Sequence, residues 1–142
     1  MSNILGIGTD IVAVERFVAW STYSEAKLLR IFSRNELADC LREDGTYSPE
    51  RLAARFAAKE AFYKALSSAL FDLSYTQKNF SLLAICKMVA VDKNNEWQLP
   101  LLKIDWQGID LLIQKSIPLI QAHLSLAHEK KIAQAFVVLS LS

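Results

Sequence analysis

Arg51-Leu-Ala-Ala-Arg-Phe-Ala-Ala-Lys-Glu-Ala-Phe-Tyr-Lys-Ala-Leu66 is the stretch from which the rest of the chain can be read. It has no Gly, Pro, Val, Ile or Thr and is built mainly from Ala, Leu, Arg, Lys and Glu, the strongest helix formers. Pro49 lies just upstream with Ser48 before it, a normal helix-start signal. At about 100° per residue, Leu52, Phe56, Tyr63, Leu66 and Leu70 fall on one side. Ala53, Ala54, Ala57, Ala58, Ala61 and Ala65 cover most of the other. Large residues on one face and small ones opposite describe a helix packed on both sides.

Such a helix leaves little surface for charge, yet Glu60 and Lys64 sit four apart on one seam and Lys59 points into the aromatic side. On a solvated strip, a Glu–Lys pair at this spacing is worth only about 0.2–0.5 kcal/mol. Beside packed apolar flanks, a carboxylate and an ammonium need specific partners. A metal ion, a phosphate, or both would supply them.

The 142 residues fit one domain, residues 1–142, with room for a real core. Hydrophobic residues make up 52% and charged ones 22%, a globular composition rather than a disordered one. Sixteen basic and fifteen acidic residues leave a net charge of +1, which argues against a general nucleic-acid binder. Cys40 and Cys86 have no CxxC pattern and no His at ligand spacing, so they read as reduced thiols. The N-terminus lacks a signal-peptide pattern, and no apolar run reaches the length of about 18 residues needed for a membrane span. The expectation is a cytoplasmic protein.

Outward from the central helix, Ile4-Leu-Gly-Ile-Gly-Thr-Asp-Ile-Val12 reads as a strand. Period-2 alternation puts Gly6, Gly8 and Asp10 on one face, where bare backbone beside a carboxylate would let a ligand or another chain approach. Residues 13–20 read as a short helix, and 25–41 as a helical region broken near Ser33, with Glu36 three residues on. Residues 67–79 read as irregular. Residues 82–91 read as β-rich, and a turn at 92–96 leads to a second strand across 97–106, which Pro100 makes an edge strand or one entered late. A short helix follows over 108–115, then a hairpin of 119–126 and 132–141. His123 and Ser125 share a strand face, with His128 at the hairpin mouth. The fold class is α+β, with antiparallel pairing around a long central helix.

Three segments together resemble one family. Ile4 to Val12, Arg55-Phe-Ala-Ala-Lys-Glu-Ala-Phe-Tyr-Lys64 and His123-Leu-Ser-Leu-Ala-His128 look like the signatures of holo-[acyl-carrier-protein] synthase, the short-chain class of 4′-phosphopantetheinyl transferases. Phe32-Ser-Arg-Asn-Glu36 looks like a weaker fourth, so the likeness spans nearly the whole chain. It implies the 4′-phosphopantetheinyl transferase fold and transfer of the phosphopantetheine arm of coenzyme A to a serine of an apo acyl carrier protein, releasing adenosine 3′,5′-bisphosphate. By position, Asp10 and Glu60 would hold Mg²⁺, which prefers one or two carboxylates plus phosphates and waters. Lys64 would neutralise pyrophosphate charge or assist in moving the serine proton. Glu60 is also a candidate for activating the serine. The resemblance further assigns Arg55, Lys59, Ser125 and His128 to coenzyme A and places His123 near the active site. It makes Arg16, Arg30 and Arg34 the contacts for the carrier protein's acidic helix, and it implies a homotrimer with each site at a subunit interface.

Three departures from the family pattern stand out. Ser67-Ser-Ala-Leu-Phe71 replaces a glycine-rich loop, Asn94-Asn-Glu-Trp-Gln-Leu-Pro100 replaces a tight turn, and Ala127 stands where a small hydroxyl residue is common. None touches Asp10, Glu60 or Lys64. They leave a second reading open, a divergent homologue that binds coenzyme A or a carrier protein without efficient transfer.

Overall fold

A computed structural model of the chain describes residues 3–75 and 80–142. Strand β1 (Ile4–Ala13) alternates as its sequence suggests, with Gly6, Gly8, Asp10 and Val12 buried and Ile7, Thr9 and Ile11 outward. It pairs antiparallel with β5 (Ile132–Leu141), which pairs antiparallel with β4 (Ile120–His128), giving the sheet order β1-β5-β4. On β5, Ala133, Ala135, Val137 and Leu139 are fully buried on the inner face.

Helix α3 (Pro49–Asp72) lies across that face, against β1 and β5. The Ser48 hydroxyl accepts the Arg51 N–H, and Pro49 opens the first turn, where a missing N–H costs nothing. Its alanine side meets the sheet. A methyl group at Gly8 would sit 1.9 Å from the Ala61 carbonyl oxygen, and one at Gly6 2.1 Å from that of Ala65. The two glycines, read from sequence as an approach for a ligand or another chain, are therefore where the chain's own helix touches the strand backbone. Its other side packs on Phe17, α2 (Arg34–Cys40) and α4 (Leu82–Cys86). Phe56 meets Phe17 and Trp20 at ring-centre distances of 5.4 and 5.8 Å. Burying each such aromatic contributes about 1.5–3 kcal/mol.

Several sequence expectations change. Residues 67–71 are not a loop, because α3 continues to Asp72. Ala65, Leu66, Ala69 and Leu70 extend the buried stripe, and the Ser67 hydroxyl donates to the Tyr63 carbonyl, so packing outweighs the weak helix propensity of serine. The remainder of that expected irregular segment lies partly at 76–79, outside the described residues. Residues 82–91 are not one strand. Ser81 caps α4 through the Ala84 N–H, and strand β2 (Val89–Asp92) begins only after it, pairing antiparallel with β3 (Leu101–Ile104) just past Pro100. Residues 13–20 form two 3₁₀ turns, Val14–Phe17 and Ala19–Thr22, instead of a helix. Helix α1 (Glu25–Leu28) and α2 flank the expected break, and Ser33 and Glu36 form a reciprocal capping box. Helix α5 (Trp106–Ile113) is capped by Asp105.

Candidate active site

Asp10 follows Gly6 and Gly8 on the helix-facing side of β1 and is only 8% exposed. Because the strand runs against α3, this carboxylate meets the helix at the turn carrying Glu60 and Lys64. The Lys64 ammonium donates to Asp10 Oδ1 at 3.0 Å and to the Thr9 carbonyl at 3.0 Å. Asp10 Oδ2 is buried with no donor beside it while both carboxyls are ionised. Partial burial pushes the Glu60 carboxyl up to about 7, with the hydrogen-bonding contact and negative charge of Asp10 adding to the rise and Arg16 and Lys64 opposing it. Asp10 is thus brought from the far end of the sequence to Glu60 and Lys64, and the three form one cluster.

Two crowded carboxylates, one with an idle buried oxygen, make a place that favours a cation. Among the described residues no group of three or more His, Cys, Asp or Glu side chains could hold a metal ion. Two carboxylates are the donor set Mg²⁺ takes when phosphate oxygens and water complete its shell. Asp10 and Glu60 would hold it, and the orphaned Oδ2 is the observation that fits.

Other candidates lie elsewhere. Arg16 places its guanidinium 5.8 Å from the ring centres of Phe17 and Phe56, and its charge reaches Glu60. Arg55 is 3% exposed, donates to Asp39 Oδ2 at 3.4 Å and to the Arg51 carbonyl at 3.3 Å, and leaves Nε buried without an acceptor. His128 ends β4 near Glu50, whose carboxyl is held low chiefly by its own backbone N–H and slightly by His128. His123 and Ser125 project from the sheet face opposite Asp10, and His123 Nε2 lies 3.3 Å from Ser140 Oγ. The fold of one chain does not bring these two to the carboxylate cluster.

Lys59 is fully buried. Its ammonium pairs with Glu36 Oε1 at 2.8 Å and donates to the Cys86 and Val89 carbonyls. With its three N–H bonds so engaged inside the core, Lys59 has none left for the coenzyme A contact that the resemblance assigns to it. Sequence reading treated Glu36 only as a capping residue and missed its ion pair. The signal was present, since a lysine on an apolar helix side requires a buried partner.

Arg30 lines an apolar groove of about 560 Å³ between α1 and α4, formed by Trp20, Leu28, Ile31, Leu83 and Met88 among others, with Lys27 and Lys87 alongside. Arg34 is exposed and pairs with Glu25 at 2.8 Å.

The family model of the 4′-phosphopantetheinyl transferase superfamily matches residues 6–114. The chain belongs to this superfamily. Within it, the chain is 38% identical over 137 residues to the holo-[acyl-carrier-protein] synthase of Treponema denticola, covering 96% of this chain and 98% of that one. It is 34% identical over 136 residues to the holo-[acyl-carrier-protein] synthase of Treponema pallidum (strain Nichols), covering 96% and 95%. Its fold matches the Chronobacterium ammoniagenes ACPS-CoA complex with a TM-score of 0.75 at 25% identity, over 96% of this chain and 97% of that one. These likenesses place the chain in the holo-[acyl-carrier-protein] synthase class of enzymes. The α+β fold, with antiparallel sheets around a long helix, is the one expected from the sequence.

Proposed function

We propose that this chain, as one domain, transfers the 4′-phosphopantetheine arm of coenzyme A to a serine hydroxyl of an apo acyl carrier protein in an Mg²⁺-dependent reaction. The observation that carries this reading is the buried, partnerless Asp10 Oδ2 beside the high-titrating Glu60 and the Lys64 ammonium. When bound, Mg²⁺ supplies charge neutralisation on the pyrophosphate. The serine oxygen forms a new bond to the β-phosphorus as the bond to the bridging oxygen breaks, and adenosine 3′,5′-bisphosphate departs. Glu60 accepts the serine proton, directly or through a water, and Lys64 offsets the charge gathering on the phosphates. Arg16, already within electrostatic reach of Glu60, adds a cation where the carrier's acidic helix arrives, and Arg30 and Arg34 extend the basic surface.

The outer face of the β1-β5-β4 sheet supports a homotrimer. Ile7, Ile11, Ile132 and Phe136 are 50%, 63%, 45% and 42% exposed there, an apolar surface that calls for a cover. His123 and Ser125 stand on the same face. In a trimer they serve a neighbour's site, with Arg55 and His128 taking the nucleotide end. Among the described residues no helix is long and apolar enough to cross a membrane. Both cysteines are free and buried, which suits a cytoplasmic enzyme.

One observation favours a second reading, binding without efficient transfer. Helix α3 runs through residues 67–71, so no flexible glycine loop is available to lie along coenzyme A. Chromatographic detection of adenosine 3′,5′-bisphosphate separates the two. Release that requires both apo carrier and Mg²⁺ supports transfer. Tight coenzyme A binding with no release supports the binder.

A further inference from the structure

The buried Glu36–Lys59 pair has no place in the chemistry above, yet it occupies the middle of the fold. Both side chains are completely shielded from solvent and 2.8 Å apart. Glu36 caps its own helix and also reaches two distant elements. Oε1 accepts the Ser33 N–H at 2.9 Å along with the Lys59 ammonium, and Oε2 accepts the Val91 N–H at 2.9 Å. Lys59 in turn donates to the carbonyls of Cys86, at the end of α4, and Val89, at the start of β2. Two side chains thus tie α2, α3, α4 and β2 together.

Lys59 immediately precedes Glu60 on α3, so the pair is joined to the catalytic helix at the level of the site. Its far end holds α4 and the two residues after it, and this segment supplies Leu83, Ala84, Lys87 and Met88 to one wall of the apolar groove. The facing wall, with Trp20, Tyr23 and Ile31, comes from the segment 20–31, and Lys27, Arg30 and Lys87 add positive charge to the apolar lining, which complements an acidic carrier. Hydrophobic packing alone could hold α4 in place, but a charged pair with fixed donors and acceptors also fixes its register.

We propose that Glu36 and Lys59 are positioning residues that set the α4 wall of this groove against the catalytic helix, so that the groove can receive the carrier protein. The assignment rests on the transferase reading above. Removing the pair loosens the segment from α4 to β2 and weakens carrier engagement while leaving the chemical step intact.

The test uses the full chain with Glu36→Gln and Lys59→Met combined, which removes both charges and strands neither. Hydrogen–deuterium exchange of residues 82–91 is read beside steady-state kinetics with varied apo carrier and varied coenzyme A. The expected result is at least about tenfold faster exchange across 82–91 and at least about tenfold higher KM for the carrier. In the same variant, kcat and the KM for coenzyme A stay within about threefold of wild type. Glu36→Asp, which keeps a negative charge opposite Lys59 but draws the carboxylate back by one methylene, gives a smaller change in the same direction and serves if the double variant does not fold. Unchanged exchange in a folded variant overturns the proposal, as does a fall in kcat at constant carrier KM. If wild type itself does not modify a carrier, the transferase reading fails, and the exchange measurement still decides the structural part.

Discussion

Gly8→Ala places a methyl carbon 1.9 Å from the Ala61 carbonyl oxygen and 2.6 Å from the Ala65 nitrogen. Both obstacles are backbone atoms of α3, so no rotamer change relieves the clash. Ordinary contact begins at 3.4 Å, so β1 must retreat from the helix by about 1.5 Å. Overpacking of this kind costs about 1–3 kcal/mol, which for a chain of this length lowers Tm by about 4–12 °C. The larger consequence is functional. Asp10 is two residues along the same strand face, and its distance from Glu60 and Lys64 depends on that packing. A displacement of about 1 Å in a reacting constellation costs about 100-fold in rate, so turnover should fall at least that far. Gly45→Ala is the matched control. Gly45 lies at φ +85° with no atom within 4 Å of where an added methyl group would stand, so the substitution loses about 1–2 kcal/mol from backbone strain while Asp10 stays in place. Differential scanning calorimetry and coenzyme A turnover on both variants separate stability from geometry. Wild-type turnover in Gly8→Ala would refute the coupling between strand packing and the site.

The cluster itself yields further expectations. Asp10→Asn and Glu60→Gln should each lose about 1,000-fold in transfer with their circular dichroism spectra unchanged, and near-normal rates in either would remove the metal assignment. Lys64→Ala should lose most activity, and a change confined to the KM for coenzyme A would exclude Lys64 from proton movement. Glu60 titrates near 7 in the metal-free chain against an ordinary 4.5, so the folded chain binds its proton more tightly than the unfolded chain. That contribution is complete below the ordinary value and disappears as pH rises through 7. The metal-free Tm should therefore fall from about pH 4.5 to 7 more in wild type than in Glu60→Gln, and Mg²⁺ binding should release a proton below pH 7. Equal slopes would contradict this. Phe136→Asp, in the middle of the exposed sheet face, should yield monomers by light scattering and little activity. An unaltered oligomer would move the interface elsewhere.

Much of the fold was legible because local and long-range preferences agree. The central helix has strong helix formers, a serine cap and two packed faces. The glycine strand alternates cleanly. Where they conflict, tertiary burial prevailed. Serines at 67 and 68 argue for a break, but Ala65, Leu66, Ala69 and Leu70 carry the helix past them. Residues 82–91 carry a strand-like run of apolar residues, yet the Ser81 cap turns its first half into a helix. The convergence of Asp10, Glu60 and Lys64 was legible because strand alternation and helix spacing fix which faces they occupy. Lys59 was not, because its partner Glu36 lies 23 positions away and its role depends on three elements meeting. His123 and Ser125 were found by pattern, but their direction only emerges from the sheet register.

Intact-mass spectrometry of an apo acyl carrier protein, incubated with this chain and coenzyme A with and without Mg²⁺, tests the central claim most directly. The expected result is a gain of one phosphopantetheine per carrier, seen only with Mg²⁺ and lost with Asp10→Asn. Coenzyme A binding with no mass gain on any of several carriers would contradict it.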